Sequence, residues 1–401
     1  MSVDVRTCER DDYAHALAPI WHYFGGTPSE EETERFLRIL PHDRVHAAFE
    51  NGAIVGGAGA YAFGTTVPGG RAVPTAGVMA VGVMPTHRRR GILSALMRRE
   101  LDDVHEWGEP LAMLYASEGA IYRRFGYGLA SIAGDIALPR ANGSLYDVPP
   151  PSGHPRLVSE EEAAELFPQV YDRVRVETPG MFTRTRDWWE IRRLSTGRFA
   201  KGEQVRVVLD VDGTPEAYAT YRIESDMQHM VSHSVLQVGE AMGATPHAMR
   251  DIWRFLLAVD WIETIRGSFL PPDHPLFLLL AEPRRMGWRA GEALWVRLVD
   301  VGEALSARSY AGDGSVIFDV ADEFCSWNAG RWQVSASGTE RTQAEADLRL
   351  GVDVLGSAYL GGFTFWELQR AGRVEELRSG AIGRADALFR TDRHPWCPEI
   401  F

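Results

Sequence analysis

The stretch Val81-Gly82-Val83-Met84-Pro85-Thr86-His87-Arg88-Arg89-Arg90-Gly91-Ile92-Leu93 decides how the first third of the chain is read. An apolar run stops at Met84-Pro85 and a basic turn follows. From Gly91 to about Trp107, apolar Leu93, Leu96, Met97, Leu101 and Val104 recur at three- and four-residue steps. That order predicts a strand, a turn and an amphipathic helix. A helix N-terminus carries N–H groups without intrahelical partners and the positive end of the helix dipole, so it binds anions. Gly91 permits close backbone approach to a phosphate, and arginines add charge-assisted hydrogen bonds. Arg runs on exposed turns are commonly just solvated. The strand-to-helix context of Arg88, Arg89, Arg90 and Gly91 favours a seat for the diphosphate of a nucleotide-like cofactor.

Outward from this point, strands are predicted at residues 2–7, 44–50, 53–63, 76–84, 111–116 and 129–138, with helices over 11–24, 27–40, 91–107 and 119–124. For the second helix, Thr27 is the expected N-cap, Pro28 sits in the first turn and Glu30 closes a capping box. Strands with interspersed helices predict a mixed α/β layer fold. Asn142-Gly143-Ser144 and Pro149-Pro150-Pro151-Ser152-Gly153 read as a linker after this domain. The expected domains are therefore 1–145, 156–292 and 293–401. In the second, Ser159 to Glu162 forms a capping-box start. Strands at 205–211 and 216–223 join through Asp212-Gly213-Thr214, a strand follows at 235–238, and Thr245-Pro246 opens a helix. This order echoes the first domain and suggests a structural duplication, although no sequence repeat is visible. The third domain reads as α+β, with strands at 293–299, 314–320, 331–335 and 346–350 and helices at 353–360 and 364–370. Residues 342–345 fit a capping box, but the run after them alternates as a strand does, and both readings stand.

At 401 residues the chain is too long for one core. It carries 42 Lys and Arg against 55 Asp and Glu, a formal charge of -13, which opposes general nucleic-acid binding because that requires neutralising phosphates. No run of about 18 apolar residues predicts a membrane span, and the N-terminus has no basic segment followed by an apolar one, so no signal peptide is expected. Cys8, Cys325 and Cys397 are far apart and odd in number, which predicts neither a disulfide framework nor structural zinc and suits a reducing cytoplasm. His42 and His46, like His229 and His233, have a four-residue spacing that can hold zinc on a helix. Both pairs fall in predicted strand or turn, so no metal is expected. Gly56-Gly57-Ala58-Gly59 lies within a strand and reads as a packing feature. Cys397 reads as inert.

The fold alternation and the Arg-rich loop resemble the GCN5-related N-acetyltransferase superfamily, in which an Arg/Gln-x-x-Gly-x-Gly/Ala loop cradles coenzyme A pyrophosphate. Leu93 departs from the small residue expected at the last position. A closer resemblance follows at Ala116-Ser117-Glu118-Gly119-Ala120-Ile121-Tyr122-Arg123-Arg124-Phe125-Gly126-Tyr127-Gly128, which is similar to the signature of the enhanced intracellular survival (Eis) family, as are the loop at 85–91 and the ending Pro395-Trp396-Cys397-Pro398-Glu399-Ile400-Phe401. The resemblance implies two tandem acetyltransferase-like domains, the second degenerate, then a C-terminal sterol-carrier-protein-like α+β domain, typically in a hexamer. It implies acetyl-CoA as co-substrate, contacted by Val81, Gly82, Val83, Arg88, Arg89, Arg90, Gly91, Ile92, Leu93, Ser94, Ser117 and Glu118, and amine acceptors, aminoglycosides among them.

The resemblance also makes Tyr122 the general acid, donating a proton to the expelled thiolate. From the residues alone, packing beside Phe125 and Tyr127 is the favoured role. The terminal carboxylate of Phe401 is implied as general base. A free α-carboxyl has a pKa of about 3.3–3.7, too low unless burial near Trp396, Ile400 and its own ring raises it or water relays the proton. The corresponding junction of the second domain, residues 239–247, has no arginine and carries Glu240, which predicts one cofactor site per chain. Trp188-Trp189 reads as core or interface more than cavity wall. The rival functions are protein or peptide lysine acetylation, and a non-catalytic lipid- or ligand-binding module built on the C-terminal domain.

Overall fold

The computed structural model describes residues 3–23, 25–26, 29–194 and 201–401. Asp4–Thr7 alternates exposed and half-buried residues and forms an edge strand, β1. Helix α1 (Tyr13–Tyr23) and helix α2 (Glu30–Leu37) follow. The start of α2 differs from expectation: Ser29 is the N-cap and Glu32 closes the box, because a Ser hydroxyl three residues before a Glu satisfies both orphan donors at once. Thr27 and Pro28 lie outside the described residues, as does Phe24 at the predicted end of the first helix.

Strands β2 (Val45–Glu50), β3 (Ala53–Thr66) and β4 (Ala72–Val83) form an antiparallel meander, followed by helix α3 (Ile92–Glu106) and strand β5 (Leu111–Tyr115). A short helix α4 (Gly119–Tyr122) and strand β6 (Gly128–Leu129) complete the run. Leu96, Met97, Leu101 and Val104 of α3 are fully buried, each contributing about 1.5–3 kcal/mol of apolar burial. Helix α1 crosses β3 so closely that a Cβ on Gly57 would lie 1.9 Å from the Ala16 carbonyl oxygen. The glycines at 56–59 are thus a packing feature, as expected.

The sheet order is β1-β2-β3-β4-β5, then Leu294–Leu298, then β6. Two sequence expectations change here. The predicted strand at 293–299 does not belong to the C-terminal sheet: Leu294–Leu298 pairs antiparallel with β5 and β6. The predicted strand at 129–138 is broken. The N–H groups of Ala130 and Ser131 converge on the single carbonyl of Leu294, at 2.8 and 3.2 Å, and stop the ladder. Ile132–Pro139 then joins a second sheet, between Arg289–Glu292 and Thr264–Leu270. Contact density accordingly groups Met1–Ser131 with Ala293–Asp392 and Glu399–Phe401, and Ile132–Glu292 with Arg393–Pro398.

In the second unit the sheet continues from Thr264–Leu270 through Val235–Gly243, Thr214–Glu224 and Val205–Val211 to His154–Leu157. The Asp212-Gly213 turn has both residues at positive φ, 50° and 79°, as a two-residue hairpin needs. Thr245 caps Pro246–Ala258, and Ser159 with Glu162 forms the expected capping box. The stretch read as a linker is anchored to this unit instead. Arg140 donates to the Val259 carbonyl at 2.7 Å, and Ser152 bonds Asp251 through both its backbone N–H and its hydroxyl. Proline and glycine end regular structure there without freeing the chain.

The third sheet runs Gly338–Arg341, Gly330–Ser335, Ser315–Ala321, Leu348–Gly351, Val374–Glu376. Residues 342–345 form neither a capped helix nor a strand. The predicted helices appear as Val352–Tyr359 and Phe365–Arg370, while Val301–Ala307 and Ala381–Phe389 were not anticipated.

Candidate functional site

Strand β4 positions the site. Its antiparallel pairing with β3 shifts register between Gly57 and Gly59, where Ala80 takes a left-handed φ of 54°. This bulge bends the strand. On the other edge, parallel pairing with β5 covers only Thr75 to Gly77. Beyond Gly77 the two strands splay, and the β4 edge at residues 78–83 faces the gap. Val81, Gly82 and Val83 line the resulting cavity of about 770 Å³, together with Ile20 and Tyr23 of α1. The Val83 carbonyl, on the edge away from β3, accepts from the Tyr23 hydroxyl at 2.9 Å.

After β4 the chain makes a 3-10 turn over Pro85–His87 and enters α3 through Gly91, whose φ is 82°. A Cβ on Gly91 would meet nothing within 4 Å. Backbone conformation, rather than space within the chain, therefore demands glycine. The first turn of α3 directs unpaired N–H groups at the cavity, and Gly91, Ile92, Leu93 and Ser94 all line it. Arg88 and Arg89 line it too and, among the described residues, enter no hydrogen bond or ion pair. Arg90 is placed differently: it is ion-paired with Glu50, one bond measuring 3.1 Å. Leu93, which departs from the small-residue pattern, is half-buried against the core under α3 and still forms part of the wall.

The opposite wall comes from the turn after β5. Ser117, Glu118, Ile121, Tyr122 and Arg124 line the cavity. Glu118 occupies the N-cap position of α4 without a side-chain cap bond. Tyr122 is 7% exposed, its ring edge-on to Tyr127 at 6.0 Å. Burial, and secondarily the charge of Glu118, pushes its hydroxyl up to about 12. It is therefore held as a protonated donor across the neutral range.

Phe401 is docked rather than frayed. Its ring meets Phe63 at 5.2 Å, Tyr115 at 5.6 Å and Tyr61 at 6.4 Å. The neighbours expected from sequence are not these. Trp396 packs with Phe167, Tyr171 and Trp189 in the second unit and donates to the Phe269 carbonyl at 2.5 Å, and Ile400 is exposed. Phe401 is not part of the cavity wall around Tyr122, although Tyr115 ends the strand that leads into Ser117 and Glu118. Ile20, Tyr23, His87, Ile121 and Arg124 also line the cavity and were not singled out from sequence. Ile20 and Tyr23 come from the cavity face of α1, which periodicity cannot distinguish from its core face, and Ile121 from the short α4.

In the second unit, Glu240 follows a comparable bulge, where pairing with Thr214–Glu224 skips Gly239. Expected from sequence as a charge that would repel phosphate, it is buried and accepts from Arg184 at 2.6 Å, Arg193 at 2.7 Å and the Tyr218 hydroxyl at 2.7 Å. Burial would raise its carboxyl, but the two guanidinium charges outweigh that and hold it at about 2. Trp188 and Trp189 are core residues. His46 is buried between Glu100 (2.7 Å) and Asp103 (2.8 Å), and His42 bonds the Cys8 carbonyl at 3.1 Å. Among the described residues no group of three or more His, Cys, Asp or Glu side chains is arranged to hold a metal. No helix among them is long and apolar enough to cross a membrane.

Comparison with known proteins agrees with this architecture. Residues 4–130 and 180–298 each match a family model described as an acetyltransferase (GNAT) domain, and residues 301–398 match a sterol carrier protein domain. An uncharacterized N-acetyltransferase from Streptomyces avermitilis is 39% identical, with 100% of both chains covered. The N-acetyltransferase Eis of Mycobacterium tuberculosis is 34% identical over 341 residues, 82% of this chain and 81% of that protein. The crystal structure of Eis1 from Mycobacterium abscessus matches with a TM-score of 0.88 at 34% identity, over 99% of this chain and 100% of that one. A GCN5-related N-acetyltransferase from Anabaena variabilis, 21% identical, shares the fold at a TM-score of 0.86. Two acetyltransferase domains followed by a sterol-carrier-type domain is the expected fold class, its co-substrate is acetyl-CoA, and the chain belongs to the Eis family of GCN5-related N-acetyltransferases.

Proposed function

We propose that the chain transfers the acetyl group of acetyl-CoA directly to a primary amine at the cavity between β4 and β5. One observation carries the reading: an anion-seating helix start, two uncommitted arginines and a buried protonated phenol line the same cavity. Arg88, Arg89 and the N–H groups of Gly91 to Ser94 hold the diphosphate. The backbone of Val81 and Gly82 holds the pantetheine arm and polarises the thioester carbonyl. Amine nitrogen bonds to the carbonyl carbon, the carbon–sulfur bond breaks, and Tyr122 donates its proton to the departing sulfur. Ser117 and Glu118 frame the arm on the Tyr122 side. The Phe401 carboxylate takes the amine proton through water, a role supported by its seat among Phe63, Tyr115 and Tyr61 and by the family resemblance.

The acceptors we propose are cationic amines, aminoglycosides or other polyamines, drawn by the net charge of -13. The same charge supports the absence of nucleic-acid partners. Family resemblance supports a hexameric homo-oligomer; the three separated cysteines support a cytoplasmic setting, and the sequence pattern supports neither a membrane partner nor a metal. The resemblance also supports three domains in the order 1–145, 156–292 and 293–401, with residues 132–139 passing to the second and 294–298 to the first by their strand pairing. The internal Arg184–Glu240–Arg193 cluster supports a single cofactor site per chain.

The test is thiol release from acetyl-CoA across a panel of aminoglycosides, linear polyamines and lysine peptides, with the native chain and a chain lacking Phe401. Release with small amines that falls on loss of Phe401 supports the reading. Release only with peptides makes it a peptide acetyltransferase, and no release with bound lipid moves the function to the C-terminal domain.

A further inference from the structure

Three consecutive arginines precede Gly91, yet the chain gives them different tasks. Arg89 takes a left-handed φ of 61° and Gly91 one of 82°. Between these two reversals Arg90 leaves the cavity side, while Arg88, Arg89 and Gly91 line the cavity. A non-glycine residue in that conformation carries strain that persists only where its surroundings over-determine it. The surroundings here are Glu50. Its side chain is 8% exposed, and it pairs with Arg90 through both carboxylate oxygens. Its Oε2 also lies 3.2 Å from His87 Nε2. The other nitrogen of that ring, Nδ1, is 2.8 Å from the Thr86 hydroxyl. Glu50 thus grips residues from both ends of the basic turn.

Glu50 is itself fixed. It is the last residue of β2, paired with Ala53 across a two-residue turn in which Asn51 and Gly52 have φ of 51° and 80°. The same hairpin ties the base of the turn, since the Met84 N–H donates to the Val55 carbonyl at 2.8 Å and the His87 N–H to that of Met84 at 2.8 Å. The β2–β3 hairpin therefore holds the loop at its root through backbone and at its tip through one carboxylate.

We propose that Glu50 is a positioning residue for the cofactor loop, clamping His87 and Arg90 so that Arg90 is a strut and only Arg88 and Arg89 meet the diphosphate. The inference rests on the reading of this cavity as the acetyl-CoA site. Charged hydrogen bonds at a buried acceptor are strong and geometrically restrictive, so their loss loosens the helix start without removing a ligand group. Uncompensated guanidinium–phosphate attraction is screened by salt, and a two-oxygen pair seated on the buried Glu50 carboxylate is screened less.

The test is the KM for acetyl-CoA and kcat, each as a function of KCl concentration, for native protein, Glu50→Gln, Arg90→Ala, Arg88→Ala and the Glu50→Gln/Arg90→Ala double variant, with thermal melts as control. Glu50→Gln and Arg90→Ala are each expected to raise the acetyl-CoA KM about tenfold with kcat within about twofold. Both should keep the native salt slope, and the double variant should be no worse than either single one, as for partners in one interaction. Arg88→Ala should instead flatten the slope. Arg90→Ala reads the clamp from its solvent side should Glu50→Gln fail to fold. A native KM in Glu50→Gln, a flattened slope in Arg90→Ala, or additive losses in the double variant would overturn the clamp while leaving the site assignment intact. Loss of that assignment would show separately, as an acetyl-CoA KM unmoved by Arg88→Ala.

Discussion

Replacing Tyr122 by Phe removes one oxygen from a side chain that is 7% exposed. The ring keeps its edge-on contact with Tyr127, and no side chain or backbone group among the described residues is hydrogen-bonded to the hydroxyl. The expected cost to folding is below about 1 kcal/mol, the ordinary value of a single hydrogen bond. The expected cost to turnover is far larger. A positioned general acid contributes about 10²–10⁴-fold, which is roughly 2.7–5.4 kcal/mol at 1.36 kcal/mol per decade. Because burial holds the phenol at about 12, ionisation of Tyr122 does not impose an alkaline fall in kcat anywhere in the neutral range. The assay is steady-state thiol release at saturating amine, alongside a thermal melt. The account predicts kcat down by at least about 100-fold, an acetyl-CoA KM within a few-fold, and an unchanged melt. An unchanged kcat would leave Tyr122 as a packing residue, the role its sequence context alone favours.

Two further outcomes follow from the packing. His46 sits between Glu100 and Asp103: burial alone would lower its pKa, but the hydrogen bonds and charges of the two carboxylates more than offset this and raise it. A raised folded value means that its stabilisation is complete below the unfolded value of about 6.5 and is lost as pH rises through the folded value. His46→Ala should cost about 3–5 kcal/mol near pH 6, the penalty for stranding a buried charge, and chemical denaturation should show the gap from native protein narrowing as pH rises. Gly91→Ala meets no atom, so its cost is conformational, about 1–2 kcal/mol from the left-handed φ, and a melt lowered by much more than that, or not at all, would contradict the geometry.

The order strand, basic turn, amphipathic helix was legible because each part has its own local signal: an apolar run, a charge run, and a three-to-four-residue period opened by glycine. Tyr122, Ser117 and Glu118 were legible through a short contiguous motif. What was not legible depended on pairing between distant strands. Residues 129–138 are apolar apart from Ser131 and Asp135, and one serine in an apolar run does not mark the point where one sheet is left for another. That break comes from the Leu294 carbonyl, more than 160 residues later, capturing two N–H groups. Leu294–Leu298 likewise reads as an ordinary strand, and its membership of the first sheet is set by β5 and β6. Arg88, Arg89 and Arg90 look equivalent in sequence, and only the left-handed turn at Arg89 and the position of Glu50 separate them. Nothing near Glu240 in sequence marks it as a buried, neutralised charge, because its partners, Arg184 and Arg193, lie some fifty residues upstream.

The measurement that bears most directly on the whole account is a crystal structure of the chain with acetyl-CoA bound. The account predicts the diphosphate against the N–H groups of Gly91 to Ser94 with Arg88 and Arg89 upon it, the pantetheine arm in the gap where β4 and β5 part beyond Gly77, and the thioester sulfur within reach of the Tyr122 hydroxyl. A diphosphate seated elsewhere on the chain, or a saturated crystal with that gap empty, would contradict it.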